Sequence, residues 1–201
     1  MEQGTARLET FSDGVFAIAA TLLVLEFSVS SGRNLGDQLV HLWPAYLAYA
    51  TTFVTIGIIW MNHHHTVSLI DHTDRTMLFI NNLLLLTIAF LPFPTKLVAD
   101  YLHKDGEKAA TLAYAATFVV MATLHQVWWQ YARRNRRLIA DGVTDAALRA
   151  VDRAYAPGIL LYGIVLVLAF FSPLAAVFLT FAIAAFYLPS AALFDRGGEP
   201  G

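Results

Sequence analysis

Charge is confined to a few short segments of this 201-residue chain, and the gaps between them constrain what it can fold into. Gln38–Ile70 holds no Asp, Glu, Lys or Arg over 33 residues, Thr76–Thr95 none over 20, Ala109–Ala132 none over 24 and Ala154–Phe194 none over 41. A helix needs about 20 mostly apolar residues to cross the hydrocarbon core of a bilayer. The first three stretches are therefore single spans. The fourth is too long for one, and Ser172-Pro173 divides it, because proline cannot continue a helical hydrogen-bond ladder and restricts the residue before it. The N-terminal segment is uncharged only over Gly14–Leu25, 12 residues, and becomes span-length if Asp13 and Glu26 are tolerated at its ends.

The resulting expectation is an all-α integral membrane protein with six transmembrane helices at 8–28, 41–65, 75–98, 108–132, 154–171 and 174–194. It forms a single domain over 1–201, with a charged, partly helical linker at 133–153 and no repeat between the halves. The first 15 residues carry acids and no apolar run, so no cleaved secretory signal is expected. Composition agrees: 57% of residues are hydrophobic and 14% charged, against about 25% charged in soluble domains. A net charge of −2 leaves no basic surplus for a nucleic-acid backbone. The absence of cysteine excludes a disulfide framework, a thiolate zinc site and a cysteine nucleophile.

Orientation follows from Lys and Arg in the loops. With the N-terminus inside, the inner segments hold nine: Arg7, Arg75, Arg133, Arg134, Arg136, Arg137, Arg149, Arg153 and Arg196. The outer segments hold four: Arg33, Lys96, Lys104 and Lys108. Both termini are expected in the cytoplasm, with the chain a multi-pass protein of the cell membrane.

The first span places Ser12-Asp13 near its inner end. A carboxylate at that depth is costly unless paired or wetted, so the pair either sits at headgroup level or holds the helix against its neighbours, with Arg7 two turns away to help neutralise it. Further along, Phe11, Val15, Ile18, Leu22 and Leu25 share one helical face, while Gly14, Ala17, Thr21 and Ser28 share a smaller, partly polar one. Both suit packing, and periodicity does not say which face meets lipid, a neighbour or a pore.

Trp60-Met61-Asn62-His63-His64-His65 closes the second span. Adjacent histidines point about 100° apart on a helix, so the three cannot all ligate one metal, and the spaced pairs of known helical metal sites are missing. His65 and His72, with Asp71 between, leave a metal site conceivable. Hydrogen bonding to another helix, joined by Asn62 and the Trp60 N–H, is the favoured role. Thr55-Ile-Gly57-Ile58 echoes the potassium-filter sequence TVGYG, but Ile59 replaces the final glycine and the tetrapeptide is embedded in a continuous apolar span, so a carbonyl-ring filter is not supported.

Three blocks carry a family resemblance: Arg7-x-x-x-Phe11-Ser12-Asp13-Gly14 with the following Val-Phe-Ala-Ile-Ala and Thr-Leu-Leu-Val-Leu-Glu; Gly57-Ile-Ile-Trp60-Met-Asn62-His63-His64; and Ala89-Phe90-Leu91-Pro92-Phe93-Pro94-Thr95. They fall in order on the first three spans. In them the chain resembles the potassium channels of the transmembrane protein 175 type, in the prokaryotic form with one six-helix repeat. The resemblance implies a homotetramer whose pore is lined by the first helix around the symmetry axis. It implies a bulky apolar constriction at Ile18, Leu22 and Leu25, with Thr21 at a position tied to selectivity. It further implies a structural network of Arg7, Ser12, Asp13 and His63 or His64, beside which the residues themselves place Trp60 and Asn62. His65 departs from the pattern, standing where related sequences often carry arginine.

Potassium would be the permeant ion, with no cofactor, no metal, no catalytic residue and no partner beyond further copies of the chain and lipid. No GxxxxGK[ST] motif is present to couple transport to ATP. The alternatives are a proton pathway or secondary transporter using Asp13 and His63–His65 as titrating relays, although no inverted repeat supports it, and, more remotely, a histidine-dependent membrane metalloenzyme.

Overall fold

The computed structural model describes the backbone of residues 3–29 and 34–194 and the side chains of residues 4–29 and 34–187. Arg33 and Arg196, counted above for orientation, lie outside the described residues. Helix α1 (Ala6–Leu22) runs on into a 3-10 turn at Leu23–Glu26, and α2 (Leu35–His41) precedes α3 (Trp43–Val67). Then come α4 (Arg75–Phe90), α5 (Pro92–Tyr101), α6 (Glu107–Arg134), a 3-10 turn at Arg136–Leu138, α7 (Asp145–Phe171) and α8 (Pro173–Phe194). Two short strands, β1 (Gln3–Gly4) and β2 (His72–Thr73), pair antiparallel with Gln3 opposite Thr73.

Five of these helical segments are long and apolar enough to cross a bilayer: Ala6–Glu26, Trp43–Val67, Arg75–Tyr101, Glu107–Arg134 and Asp145–Phe171. Pro173–Tyr187 is a shorter apolar helix. The chain is thus an all-helical integral membrane protein.

The structure departs from the sequence expectation at three places. The loop after the first span contains α2, started by the Asn34 side chain, which accepts from the Gly36 N–H at 3.0 Å. The third span is two helices meeting at Leu91-Pro92. Proline supplies no N–H there, so the Ile88 carbonyl accepts instead from the Leu91 N–H at 3.1 Å, and the next helix opens on the Leu91 carbonyl, which accepts from the Thr95 N–H at 3.1 Å and the Thr95 hydroxyl at 2.8 Å. The fifth helix begins at Asp145, well before 154, where Thr144 caps it by accepting from the Ala147 N–H. Its first turns are retained because Leu148 and Val151 bury against Trp128, Trp129 and Leu138. At its other end α7 stops at Ser172-Pro173, where the sequence places the break.

One end of the bundle gathers the N-terminal segment, the α3–α4 loop and the α6–α7 loop. Strand β1 meets β2 there, the Asp71 N–H donates to the Leu138 carbonyl at 3.0 Å, and the Ala140 N–H to the Leu69 carbonyl at 3.0 Å. Asp74 caps α4 by accepting from the Met77 N–H at 2.9 Å, and also accepts from the Tyr131 hydroxyl at 2.8 Å and the Arg137 guanidinium at 3.0 Å. Burial acts to raise the Asp74 pKa, but these three donors and the arginine charge outweigh it and hold the carboxyl below its ordinary value.

Candidate functional site

Helix α1 is held along one side only. Leu8, Ser12, Phe16, Ala19 and Leu23 form its buried stripe, at spacings that keep one helical face toward the bundle. Ser12 is the polar member of that stripe and is fully buried, so it requires a partner. Asn81 of α4 provides one: its Nδ2 donates to Ser12 Oγ at 3.1 Å. The amide oxygen in turn bonds His63 Nε2 of α3 at 2.9 Å. Because a carbonyl oxygen only accepts, this arrangement puts the His63 proton on Nε2. The His63 ring stacks on Trp128 of α6, with centroids 5.0 Å apart, and meets Phe16 of α1 at 5.6 Å. Four helices thus converge on one buried histidine.

Two further pairs close the seam between α1 and α3 nearer the surface. Trp60 Nε1 donates to Asp13 Oδ1 at 2.8 Å, and His64 Nδ1 lies 2.9 Å from Glu9 Oε1. The structure therefore brings Ser12 and Asp13 to Trp60, His63 and His64, but through bonds the sequence left open. Arg7 does not join them: it is exposed, and its side chain makes no hydrogen bond or ion pair among the described residues. It lines an open groove of about 490 Å³ with Thr10, Phe11, Gly14, Val15 and Ile18. Asn62 takes part through its backbone, its carbonyl accepting from the Tyr155 hydroxyl at 3.2 Å. Sequence reading missed Asn81 and Glu9. The signal for Asn81 was present: an amide inside an uncharged span must find a partner on another helix.

The opposite side of α1 is bare in the protomer. Ile18 is 61% exposed, Leu22 41% and Leu25 71%. The 3-10 turn keeps Leu22 and Leu25 on one line, since side chains three apart eclipse in that geometry. Thr21 is exposed beside them, its hydroxyl donating to the Ile18 carbonyl at 2.9 Å. Gly14 and Ala17 are exposed too, and nothing lies within 4 Å of where a Gly14 Cβ would stand. The helix contact expected of the small face is therefore not made inside the protomer.

At the C-terminal end of the first span, Glu26 is 3.5 Å from Lys96 of α5, which also lies 3.5 Å from Asp100, so the charge at the end of the span is paired. Thr55–Ile59 sits inside regular α3, with the Thr55 hydroxyl back-bonded to the Thr51 carbonyl at 2.7 Å. Among the described residues no three His, Asp or Glu side chains are grouped to hold a metal, and His72 pairs with Asp71 at 3.1 Å.

Comparison with known proteins places this geometry. Residues 7–92 match the family model described as the endosomal/lysosomal potassium channel TMEM175. A potassium channel of Chamaesiphon minutus is 38% identical over 188 residues, covering 91% of this chain and 93% of the relative. The crystal structure of a lysosomal potassium-selective channel TMEM175 homologue from the same organism superposes with a TM-score of 0.85 at 36% identity, over 93% of this chain and 97% of that one. The endosomal/lysosomal proton channel TMEM175 of Gallus gallus is 33% identical over 135 residues, which span 61% of this chain and 27% of the relative.

Proposed function

The chain belongs to the endosomal/lysosomal potassium channel TMEM175 family, and from that premise we propose that it is a potassium channel of the cell membrane, a homotetramer conducting passively through a pore lined by α1. The family is one of ion channels rather than enzymes. The observation that carries the reading is the asymmetry of α1. One side is fixed to α3 and α4 by buried hydrogen bonds, while Ile18, Leu22 and Leu25 stand exposed on the other. One helix cannot enclose a path, and cyclic repetition is the usual way to complete a wall.

In the ring, four copies of each aliphatic side chain narrow the axis. A hydrophobic constriction opposes water and gates by dewetting. Selectivity then depends on the cost of shedding hydration at the ring, which is lower for potassium than for sodium. Thr21, beside Ile18, presents the hydroxyl nearest the constriction. Ser12, Asp13, Trp60, Asn62, His63 and His64 serve as scaffold rather than as ion ligands. Both termini lie in the cytoplasm, since the bundle end that gathers Arg133, Arg134, Arg136 and Arg137 faces inward by the positive-inside rule, and α8 completes a sixth span.

The name of the chicken relative supports a second reading, proton conduction, with Asp13 and the histidines as relays. Purified protein in liposomes with a potassium gradient separates the two. Potassium flux that persists with the proton gradient clamped at zero is the expected result; proton flux alone, with no potassium flux, overturns the proposal in favour of the relay.

A further inference from the structure

One amide on α4 is left without a partner at a depth where it needs one. Asn82 is exposed and its side chain makes no hydrogen bond with any described residue. It lies six residues into the uncharged stretch that begins at Thr76, about 9 Å along the helix axis. Its chain neighbour Asn81 reaches Ser12, so Asn82 stands at the level of the Ser12-Asp13 pair. Around it the same face carries Phe79, 63% exposed, and Leu86, 66% exposed. An amide turned to hydrocarbon forfeits its hydrogen bonds, whereas one turned to another helix acts as an adhesive.

The exposed face of α7 has the opposite character. Leu160, Ile164, Val167 and Phe171 follow one another along it, all exposed and all apolar. That face suits lipid with nothing left unsatisfied. The two faces therefore differ in chemistry, although both are open in the protomer.

A complement to Asn82 exists on the other flank of α1. There the Asp13–Trp60 and Glu9–His64 pairs lie at the surface, with Trp60 41% exposed and the His64 side chain 57% exposed. Asp13 uses Oδ1 for Trp60, and its second oxygen has no partner among the described residues. Asn82 stands on α4, which bonds α1 through Ser12, whereas the seam joins α1 to α3 through Asp13 and Glu9, so the surface and its complement are two different patches of one chain. A surface whose complement is a different patch of the same chain produces a head-to-tail contact, which closes into a ring when the rotation permits.

We propose that the α4 face around Asn82 docks on the α1–α3 seam of the next copy of this chain, the Asn82 amide bonding to the polar groups of that seam, while the α7 face meets lipid. This rests on the oligomeric channel reading and adds which surfaces the copies use. Asn82 becomes a determinant of assembly that lines no pore.

The test uses the full chain in detergent and exploits its lack of cysteine. Native mass spectrometry of the unaltered protein comes first; a monomer there overturns both the tetrameric reading and this interface. With the tetramer established, Asn82→Cys combined with His64→Cys is expected to give covalent multimers on mild oxidation, and Ile164→Cys combined with His64→Cys only monomer. Asn82→Leu is expected to raise the tetramer dissociation constant by about three- to tenfold. Its protomer folds, since the change adds apolar surface at an exposed position. Multimers through Ile164 rather than Asn82, or an Asn82→Leu tetramer as tight as the original, overturn the interface and leave the channel reading standing.

Discussion

Asn81 is the residue on which the attachment of α1 depends, because it satisfies two buried groups on two different helices with one amide. Its Nδ2 serves Ser12 and its Oδ1 serves His63. Leucine at this position has a similar volume and bonds neither. It would leave a hydroxyl and an imidazole N–H buried without partners, at a cost of about 1–3 kcal/mol each. Asn81→Leu is therefore expected to lower the thermal stability of the protein in detergent and to abolish assembly and potassium flux together. Asp13→Ala is expected to be milder, because Asp13 is only half-buried and the released Trp60 N–H is at an exposed position. Measuring both by size-exclusion chromatography after heating ranks them; an Asn81→Leu protein as stable as the original removes the anchoring role, and the reverse ranking shows that the surface pair carries it. Of this site the sequence disclosed the α1 and α3 members, since acids and histidines at the ends of apolar spans are conspicuous. It concealed Asn81, because pairing a mid-span amide with a serine 69 positions away requires knowing that α1 and α4 are neighbours.

Among the elements, those set by local chemistry were legible and those set by tertiary contact were not. Ser172-Pro173 ends α7 because of what proline lacks, and the break stands where the sequence puts it. The early start of α7 depends instead on Leu148 and Val151 finding Trp128 and Trp129 of α6, a contact invisible in a segment read as a charged, partly helical linker. The entry of α4 combines both kinds. Asp74 is recognisable as a cap, yet its bonds to Tyr131 and Arg137 come from α6 and the turn after it. Those bonds make the cap sensitive to pH. The folded-state pKa lies below the ordinary 3.8, so the stabilisation is fully present above that value and is lost as pH falls through the lower, folded one. Asp74→Asn keeps a capping oxygen but removes the charge facing Arg137. It is expected to cost about 1–3 kcal/mol at pH 7 and to unfold at temperatures converging on those of the unaltered protein as the pH drops below 4. Thermal unfolding of the two proteins across pH 3–7 checks this; parallel curves over the whole range would mean that the Asp74 charge contributes nothing.

For the whole molecule, the question is which part of the bare arc of α1 faces the axis of the proposed ring. In the protomer both candidate faces are open: Ile18, Leu22 and Leu25 on one, Gly14, Ala17 and Thr21 on the other. Assembly must cover one of them. Small residues let helix backbones approach closely, which suits Gly14 and Ala17 to a contact between copies now that no helix of the same chain meets them. Bulky aliphatic side chains cannot be brought together around an axis without narrowing it, which suits Ile18, Leu22 and Leu25 to the constriction. The docking surfaces assigned to α4 and to the α1–α3 seam are consistent with this, since they flank α1 and leave its middle pointing inward. Because the chain contains no cysteine, single cysteines introduced along α1 report their surroundings without background. At 18, 22 and 25 they are expected to react with small charged thiol reagents applied to conducting channels and to block potassium flux. At 14 and 17 they are expected to stay unreactive, sealed between helices. Block from 14 and 17 with silence from 18, 22 and 25 would place the small face on the axis instead. Selectivity would then rest on the Thr21 hydroxyl and exposed backbone rather than on the cost of dehydrating an ion at an apolar ring.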